Sequence, residues 1–447
     1  MIRLFVLLLG AGVLTAAPPD LVMVLADDLS RTDCSPYGGT EVPTPNIKKL
    51  AQDGRTFTHA FVASPSCAPS RAALLTGLDP MLNGAMLNHA RPQSKLKKWP
   101  AYFQDLGYEV VAFGKVGHYA QTTEYGFDHA SHFKYHQDDC VAAAAKWLAA
   151  RNSAKPLCLI VGTNWPHVPW PKSSPVPVTG VPPTLVDTRE TREARGMYLA
   201  AVAQCDADLG TIRTAALKHL GRDHLFLFSS DHGSQFPFGK WNCSDAGVRT
   251  PLIVARPGVI AAGSTSQAMV SWIDFLPTLL EVAGGTAPET ISGRSFHSVL
   301  VGKMDRHRDR IFLTHSSDGT MNRYPIRAVR TAEWKYIRNL DPEAEHHTHV
   351  DGGNAGSDGR QYWDSWVQKA KTDPAAAAVI QRYHRRPAEE LYDMSRDPWE
   401  MKNLAAEPAH ADRLKALRAD VDAWMKANND KGIETERALL QALKAKP

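Results

Sequence analysis

The chain has 447 residues, 43% apolar and 22% charged, so it can bury a large core and divide into one big domain and a smaller one. Its net charge of +4 is spread without basic blocks, which tolerates an anionic substrate and leaves no nucleic-acid footprint. Six cysteines (Cys34, Cys67, Cys140, Cys158, Cys205, Cys243) have neither the spacing of a disulfide framework nor a C-x-x-C zinc pattern.

Met1-Ile2-Arg3, the apolar run LFVLLLGAGVL and the small residues Thr15-Ala16-Ala17 are the three parts of a signal peptide, with cleavage placed after Ala17. That run is shorter than the roughly 20 residues of a membrane span, and no later segment is long and apolar enough, so a soluble, exported mature protein is expected. Four short apolar runs then each stop at a polar cluster. They are LVMVL before Ala26-Asp27-Asp28, YEVVAFG before Lys115, LCLIVG before Asn164-Trp165-Pro166-His167, and HLFLFSS before Asp231-His232-Gly233. Such runs predict strands buried on both faces. Helical patterns lie between them, over Asn46 to Asp53, Ser70 to Thr76, Val141 to Ala150 and Met197 to Leu220.

This alternation predicts an α/β fold with a large, mainly parallel sheet flanked by helices. Ligands of such sheets sit beyond the carboxyl ends of the strands, so the aspartates, lysine and histidines that follow the four runs should converge on one pocket. From about Ile311 the pattern changes. AVRTAEWKYIRNL and EELYDMSRDP read as strands of a smaller antiparallel sheet in an α+β subdomain, followed by a helix from about His410. Glu343 to Arg360, EAEHHTHVDGGNAGSDGR, is a loop rich in Gly, Asp and His.

The sharpest motif is Ser66-Cys67-Ala68-Pro69-Ser70-Arg71, followed by AALLTG. This C-x-P-S-R signature resembles the modification motif of the type I sulfatases of the alkaline phosphatase superfamily, in which the cysteine is oxidised to formylglycine. A buried structural cysteine before a helix is the plainer reading of the motif alone. The chemistry favours the modification. A thiol attacking sulfate would give a stable thiosulfate, whereas a hydrated aldehyde offers one hydroxyl as nucleophile and a second that expels sulfate by re-forming the carbonyl. A helix start also presents free N–H groups to developing negative charge.

The resemblance implies that Asp27, Asp28, Asp231 and His232, with residue 67, hold one divalent ion, usually Ca2+. Asn is commoner than His at the place of His232, which leaves manganese or zinc as alternatives. Three carboxylates brought together should repel unless a cation is bound. Arg71 is implied to orient the formylglycine, and Lys115 to hold sulfate and diol. His118, in GKVGH, would remove the proton that lets sulfate leave, and His167 and Lys240 would stabilise or protonate the departing atom. Taken singly, the aspartates read as helix caps or turn residues and the histidines as structural ones.

The resemblance spans nearly the whole mature chain, including Pro43-Thr44-Pro45-Asn46-Ile47, YLAAVAQCDADLG, Val248-Arg249-Thr250-Pro251, SWIDFLPTLLEVAG and LYDMSRDPWEMKNLA. PFGK and Thr320-Met321-Asn322-Arg323-Tyr324-Pro325 are most similar to the N-sulfoglucosamine sulfohydrolase and bacterial polysaccharide sulfatase branch. The change of pattern near Ile311 divides the chain into a catalytic domain over 18–310 and a subdomain over 311–447, the signal peptide makes the enzyme secreted or periplasmic, and the resemblance implies that a formylglycine-generating enzyme matures it. The substrate would be a sulfate ester or sulfamate on a sulfated carbohydrate. Asn88, His89, His315 and Arg323 are candidate contacts to sugar hydroxyls, each reading alone as an ordinary loop residue. Two other functions stay open: a phosphonate or phosphate-ester hydrolase with the same metal site, and a glycan-binding protein on a dead scaffold. The latter should have lost Cys67, Lys115, His118 or a metal carboxylate, and all are present. The sugar, the position of its sulfate and the oligomeric state leave no mark in the sequence.

Overall fold

The computed structural model describes residues 17–132, 139–173, 175–318, 321–354 and 356–444. All but the last residue of the expected signal peptide, and Thr320, lie outside the described residues. Eight strands form the main sheet: β1 (Asp20–Ala26), β2 (Arg55–Phe61), β3 (Glu109–Gly114), β4 (His129–Ser131), β5 (Leu157–Gly162), β6 (His224–Ser230), β7 (Arg249–Ala255) and β8 (Ser264–Ser271). Their order is β4-β3-β5-β1-β6-β7-β2-β8. The four apolar runs are the contiguous parallel strands β3, β5, β1 and β6. Only β7 runs against its neighbours β6 and β2, so the sheet is mainly parallel.

Both faces of these strands are buried because successive side chains alternate between two cores. Leu21, Met23 and Leu25 join the core that includes Leu74, Leu75, Trp99 and Leu276. Val22, Val24 and Ala26 join the core of Ile47, Leu50, Leu148 and Leu199. Helices Cys67–Thr76 and Phe275–Val282 thus cover one face, and Pro45–Asp53, Asp139–Ala150 and Arg189–His219 the other. The last of these starts at Arg189 rather than Met197. The Thr188 side chain accepts from Thr191 N (3.1 Å) and starts it upstream of the apolar period.

Register is what gathers the strand ends. Gly114 pairs with Gly162, Leu25 with Gly162, and Ala26 with Ser230, so β3, β5, β1 and β6 finish level with one another. The chain leaving β3 crosses β5 closely, and a Cβ on Gly162 would lie 2.1 Å from the Lys115 carbonyl oxygen. Glycine is required there, and the result is that Lys115 emerges beside Asp27.

Beyond it, β9 (Ile311–His315), β10 (Ile326–Arg330), β11 (Trp334–Asn339) and β12 (Glu389–Asp393) form a separate antiparallel sheet in the order β12-β11-β10-β9. The single helix expected from about His410 is two, Ala411–Ala427 and Ile433–Lys444. They part at Asn429 and Gly432, both at positive φ (53° and 63°), which frees Asp430 to reach the sheet. Arg327 of β10, fully buried, donates from Nε to Asp430 (2.5 Å) and from Nη2 to Glu436 (2.7 Å). Arg327→Ala should therefore cost about 3–5 kcal/mol of unfolding free energy by leaving two buried carboxylates without their cation, as urea unfolding would measure. Among the described residues no helix is long and apolar enough to cross a membrane, and all six cysteines are buried and unbridged.

Candidate active site

Cys67 opens the helix Cys67–Thr76, every residue of which is buried, and Gly77 in the left-handed region (φ 66°) ends it. Asn88 Oδ1 accepts from Ala68 N at 3.0 Å, so its amide group serves this helix start. Around the cysteine, three carboxylates meet three bases, all buried. Lys115 Nζ donates to Asp27 Oδ2 at 2.6 Å, Lys240 Nζ to both oxygens of Asp28 at 3.0 Å, and Arg71 Nε to Asp231 Oδ2 at 2.9 Å. Asp27, Asp28 and Asp231 thus each have a cation supplied by the chain itself, which offsets part of their mutual repulsion without a bound ion. Arg71 also donates to the Lys115 and Ala26 carbonyls, tying β1, β3 and the cysteine helix together.

Cys67 Sγ lies 3.2 Å from His232 Nε2, 3.4 Å from Lys115 Nζ and 3.7 Å from Asp27 Oδ1. Asp28 sits at φ 68°, and its N–H donates to Asp231 Oδ1 at 3.1 Å. That turn folds the second aspartate back onto the third, and the left-handed region is one an aspartate tolerates.

Carbonyl partners fix the tautomers of two histidines. His232 Nδ1 donates to Gly233 O (3.0 Å), which leaves the Nε2 lone pair facing Cys67, Asp28 Oδ1 (3.4 Å) and Asp231 Oδ2 (3.6 Å). His167 Nδ1 donates to Val168 O (2.7 Å), so its Nε2 accepts from Lys240 Nζ at 3.0 Å. A third arrangement runs outward from His118. Asp318 Oδ1 lies 2.9 Å from His89 Nε2, and His89 Nδ1 lies 2.7 Å from His118 Nε2. The buried Nδ1 of His118 has no hydrogen-bond partner among the described residues.

Burial opposes ionisation of Asp27, yet Lys115, His167, Arg71 and Lys240 hold its carboxyl well below the usual carboxylate range. Burial, with Asp27 and Asp231 beside it, pushes Asp28 up to about 7 against the pull of Lys240. Burial also drives the Cys67 thiol far up, despite Lys115 and Lys240 nearby, so the thiol is a poor source of thiolate. His118, His167 and His232 all fall below the ordinary histidine value through burial and neighbouring cations, His232 to about 4. Neutral imidazoles are the forms that can accept protons or ligate.

Ligand atoms of Asp27, Asp28, Cys67 and His167 lie within 4.8 Å of one another, as do those of Asp27, Cys67, Asp231 and His232. Carboxylate oxygens dominate this donor set and suit a hard divalent cation, while the inward Nε2 of His232 adds one nitrogen. Of the residues considered for sugar contacts, His89 is exposed and engaged in the chain from Asp318. Buried His315 donates to Asn322 O (3.2 Å), and Arg323 is exposed between β9 and β10. Four functional neighbours escape sequence reasoning. Tyr119 places its ring 4.5 Å from Lys115 Nζ, Gln235 Oε1 accepts from Lys240 Nζ (3.2 Å), His349 Nε2 bonds Gln235 Nε2 (2.7 Å), and Asp318 anchors His89. Gln235 follows the Asp231-His232 pair closely enough to have been suspected, whereas nothing in the sequence marks Asp318.

Residues 19–285 match the Sulfatase family, and residues 233–351 match the C-terminal family of N-sulphoglucosamine sulphohydrolase. An ulvan-active sulfatase of Formosa agariphila is 31% identical over 427 residues, covering 92% of this chain and 81% of the relative. The N-sulphoglucosamine sulphohydrolase of Homo sapiens is 26% identical over 95% of this chain and 93% of its own. In fold, the chain is similar to BT4656, solved in complex with its substrate D-glucosamine-2-N,6-O-disulfate, with a TM-score of 0.70, 20% identity and coverage of 93% and 99%. With a cysteine at a helix start amid paired carboxylates and bases, and with these matches along its length, the chain belongs to the sulfatase family and is a sulfuric ester hydrolase.

Proposed function

We propose that this sulfatase is exported and removes sulfate from a carbohydrate, as an O-sulfate ester or N-sulfamate, by a formylglycine made from Cys67 beside a calcium ion. The carrying observation is the setting of Cys67, whose Sγ lies 3.2 Å from an unprotonated imidazole nitrogen and 3.4 Å from a buried ammonium. Formylglycine there would supply, as its hydrate, the hydroxyl nucleophile that a thiol with a raised pKa cannot be. The ion, held by Asp27, Asp28, Asp231 and His232, would supply Lewis acidity toward a sulfate oxygen. Lys115 and Lys240 provide two fixed positive charges for the anion, already oriented by Asp27 and Asp28. Nδ1 of His118, without a hydrogen-bond partner among the described residues, is the atom that would take a proton, while its Nε2 meets His89 Nδ1. On the other side, the Lys240–His167 pair holds a proton that can pass to the leaving oxygen or nitrogen.

A carbohydrate substrate is favoured by the relatives, which are named for ulvan and N-sulphoglucosamine. The test is sulfate release from defined sulfated saccharides, N-sulfated glucosamine among them, against an aryl sulfate and an aryl phosphonate. The phosphonate is included because the fold is equally close, at a TM-score of 0.70, to a phosphonate monoester hydrolase of Agrobacterium radiobacter. Faster turnover of the phosphonate than of every sulfate would overturn the reading. Arg323, on the exposed turn before β10, would reach a sugar but not a small aryl group. Arg323→Ala should lower kcat/KM on the preferred saccharide roughly tenfold more than on the aryl sulfate, the size of one charged hydrogen bond. Equal losses on both would remove that turn from the binding site.

A further inference from the structure

The loop rich in Gly, Asp and His carries a second cluster of ligating atoms that the sulfate chemistry does not use. One ligand atom each from Glu345, His347 and His384 lies within 4.8 Å of the other two. We propose that these three residues form a separate site for a zinc-like first-row divalent cation, which clasps the loop against the end of the helix Pro374–His384.

The backbone has already joined the two segments. His346 N donates to His384 O at 2.9 Å, and His384 Nδ1 donates back to His346 O at 3.0 Å. Because a carbonyl only accepts, the proton of His384 is on Nδ1, and its Nε2 keeps a lone pair. His347 is set in the same way by a carboxylate, since its Nδ1 lies 2.5 Å from Asp351 Oδ2. Asp351 is itself immobile, its side chain 3% exposed, and its Oδ1 accepts from Thr348 N (2.7 Å) and Tyr383 Oη (2.9 Å). Metal-bound histidines characteristically have the second ring nitrogen donating to a carboxylate or backbone carbonyl, and here one ring has each kind of partner. Glu345 completes the set. Its Oε2 lies 3.3 Å from His347 Nε2, while Oε1 is turned to Arg385 at 3.5 Å.

Two imidazole nitrogens and one carboxylate, with a fourth position left to water, are a zinc donor set, and calcium or magnesium would ask for oxygen throughout. His347 is 49% exposed and Glu345 42%, so an ion can arrive from solvent. The clasp bears on the sulfate centre through the same loop. Two residues on, His349 N donates to Asn322 Oδ1 (2.9 Å), its ring meets Trp241 edge-on at 4.7 Å, and its Nε2 bonds Gln235, the partner of Lys240.

The test is calorimetric titration of Zn2+ into the calcium-loaded protein, with melting temperature followed in parallel. One saturable equivalent is expected, together with a higher melting temperature. The His347→Ala/His384→Ala variant should bind at least about 100-fold more weakly and show no thermal response, with Glu345→Gln in between. Unchanged stoichiometry and affinity in the double variant would place the zinc in the Asp27, Asp28 and Asp231 centre and overturn the proposal. No saturable binding by the parent protein would overturn it equally. Neither result touches sulfate release, so this inference and the sulfatase reading fail separately.

Discussion

Cys67→Ala is expected to release no sulfate from any substrate while melting within a few degrees of the parent protein. The side chain is small and buried at the start of a helix, so losing its one sulfur atom costs about 1 kcal/mol, whereas losing the nucleophile leaves nothing to attack sulfur. Intact mass of the active protein should place residue 67 about 18 Da below cysteine, the change from thiol to aldehyde. Full activity in protein whose Cys67 is still a thiol would end this mechanism. Cys67→Ser offers a finer reading: a single hydroxyl can accept sulfate but has no second one to expel it, so at most one equivalent should be consumed per chain.

Stripping divalent ions with a chelator should abolish turnover, and calcium should restore it. The accompanying loss of stability should be modest, because Lys115, Lys240 and Arg71 keep Asp27, Asp28 and Asp231 compensated without the ion. A divalent ion at about 100 times its Kd would add ~2.7 kcal/mol by mass action, and that gain is what the chelator would remove. Asp231→Ala should behave differently. It leaves the fully buried Arg71 without its closest carboxylate, a loss of about 3–5 kcal/mol on top of the lost activity. Chelated protein with undiminished turnover would show that these carboxylates serve the fold alone.

The centre of the fold was legible because β3, β5, β1 and β6 are apolar on both faces, a pattern that only a covered strand needs. The flanking strands show it incompletely, β7 only from Leu252 onward. β2 carries register irregularities around Thr58 and His59, β7 has Pro251 in its interior, and the first half of β8 is Ser264-Thr265-Ser266-Gln267. Their partners, not their own composition, make them strands. The residues that follow the apolar runs were legible for the same reason as the runs. What was hidden depends on distant segments meeting. Asp318 reaches His89 across more than two hundred residues of chain, and the pairing of each carboxylate with its own base is a property of side-chain directions that spacing does not encode.

The burial of Cys67 also orders events in time. In the folded protein this residue is 1% exposed, at the head of a helix with no exposed residue, so a second enzyme would find no extended peptide to grip. The proposed conversion of the side chain would belong to the nascent or unfolded chain, before β1, β3 and β6 close around it. Under that proposal each molecule would be committed at birth: a chain that folds first would carry its thiol for life, and the active fraction of a preparation would record how synthesis, modification and folding raced one another.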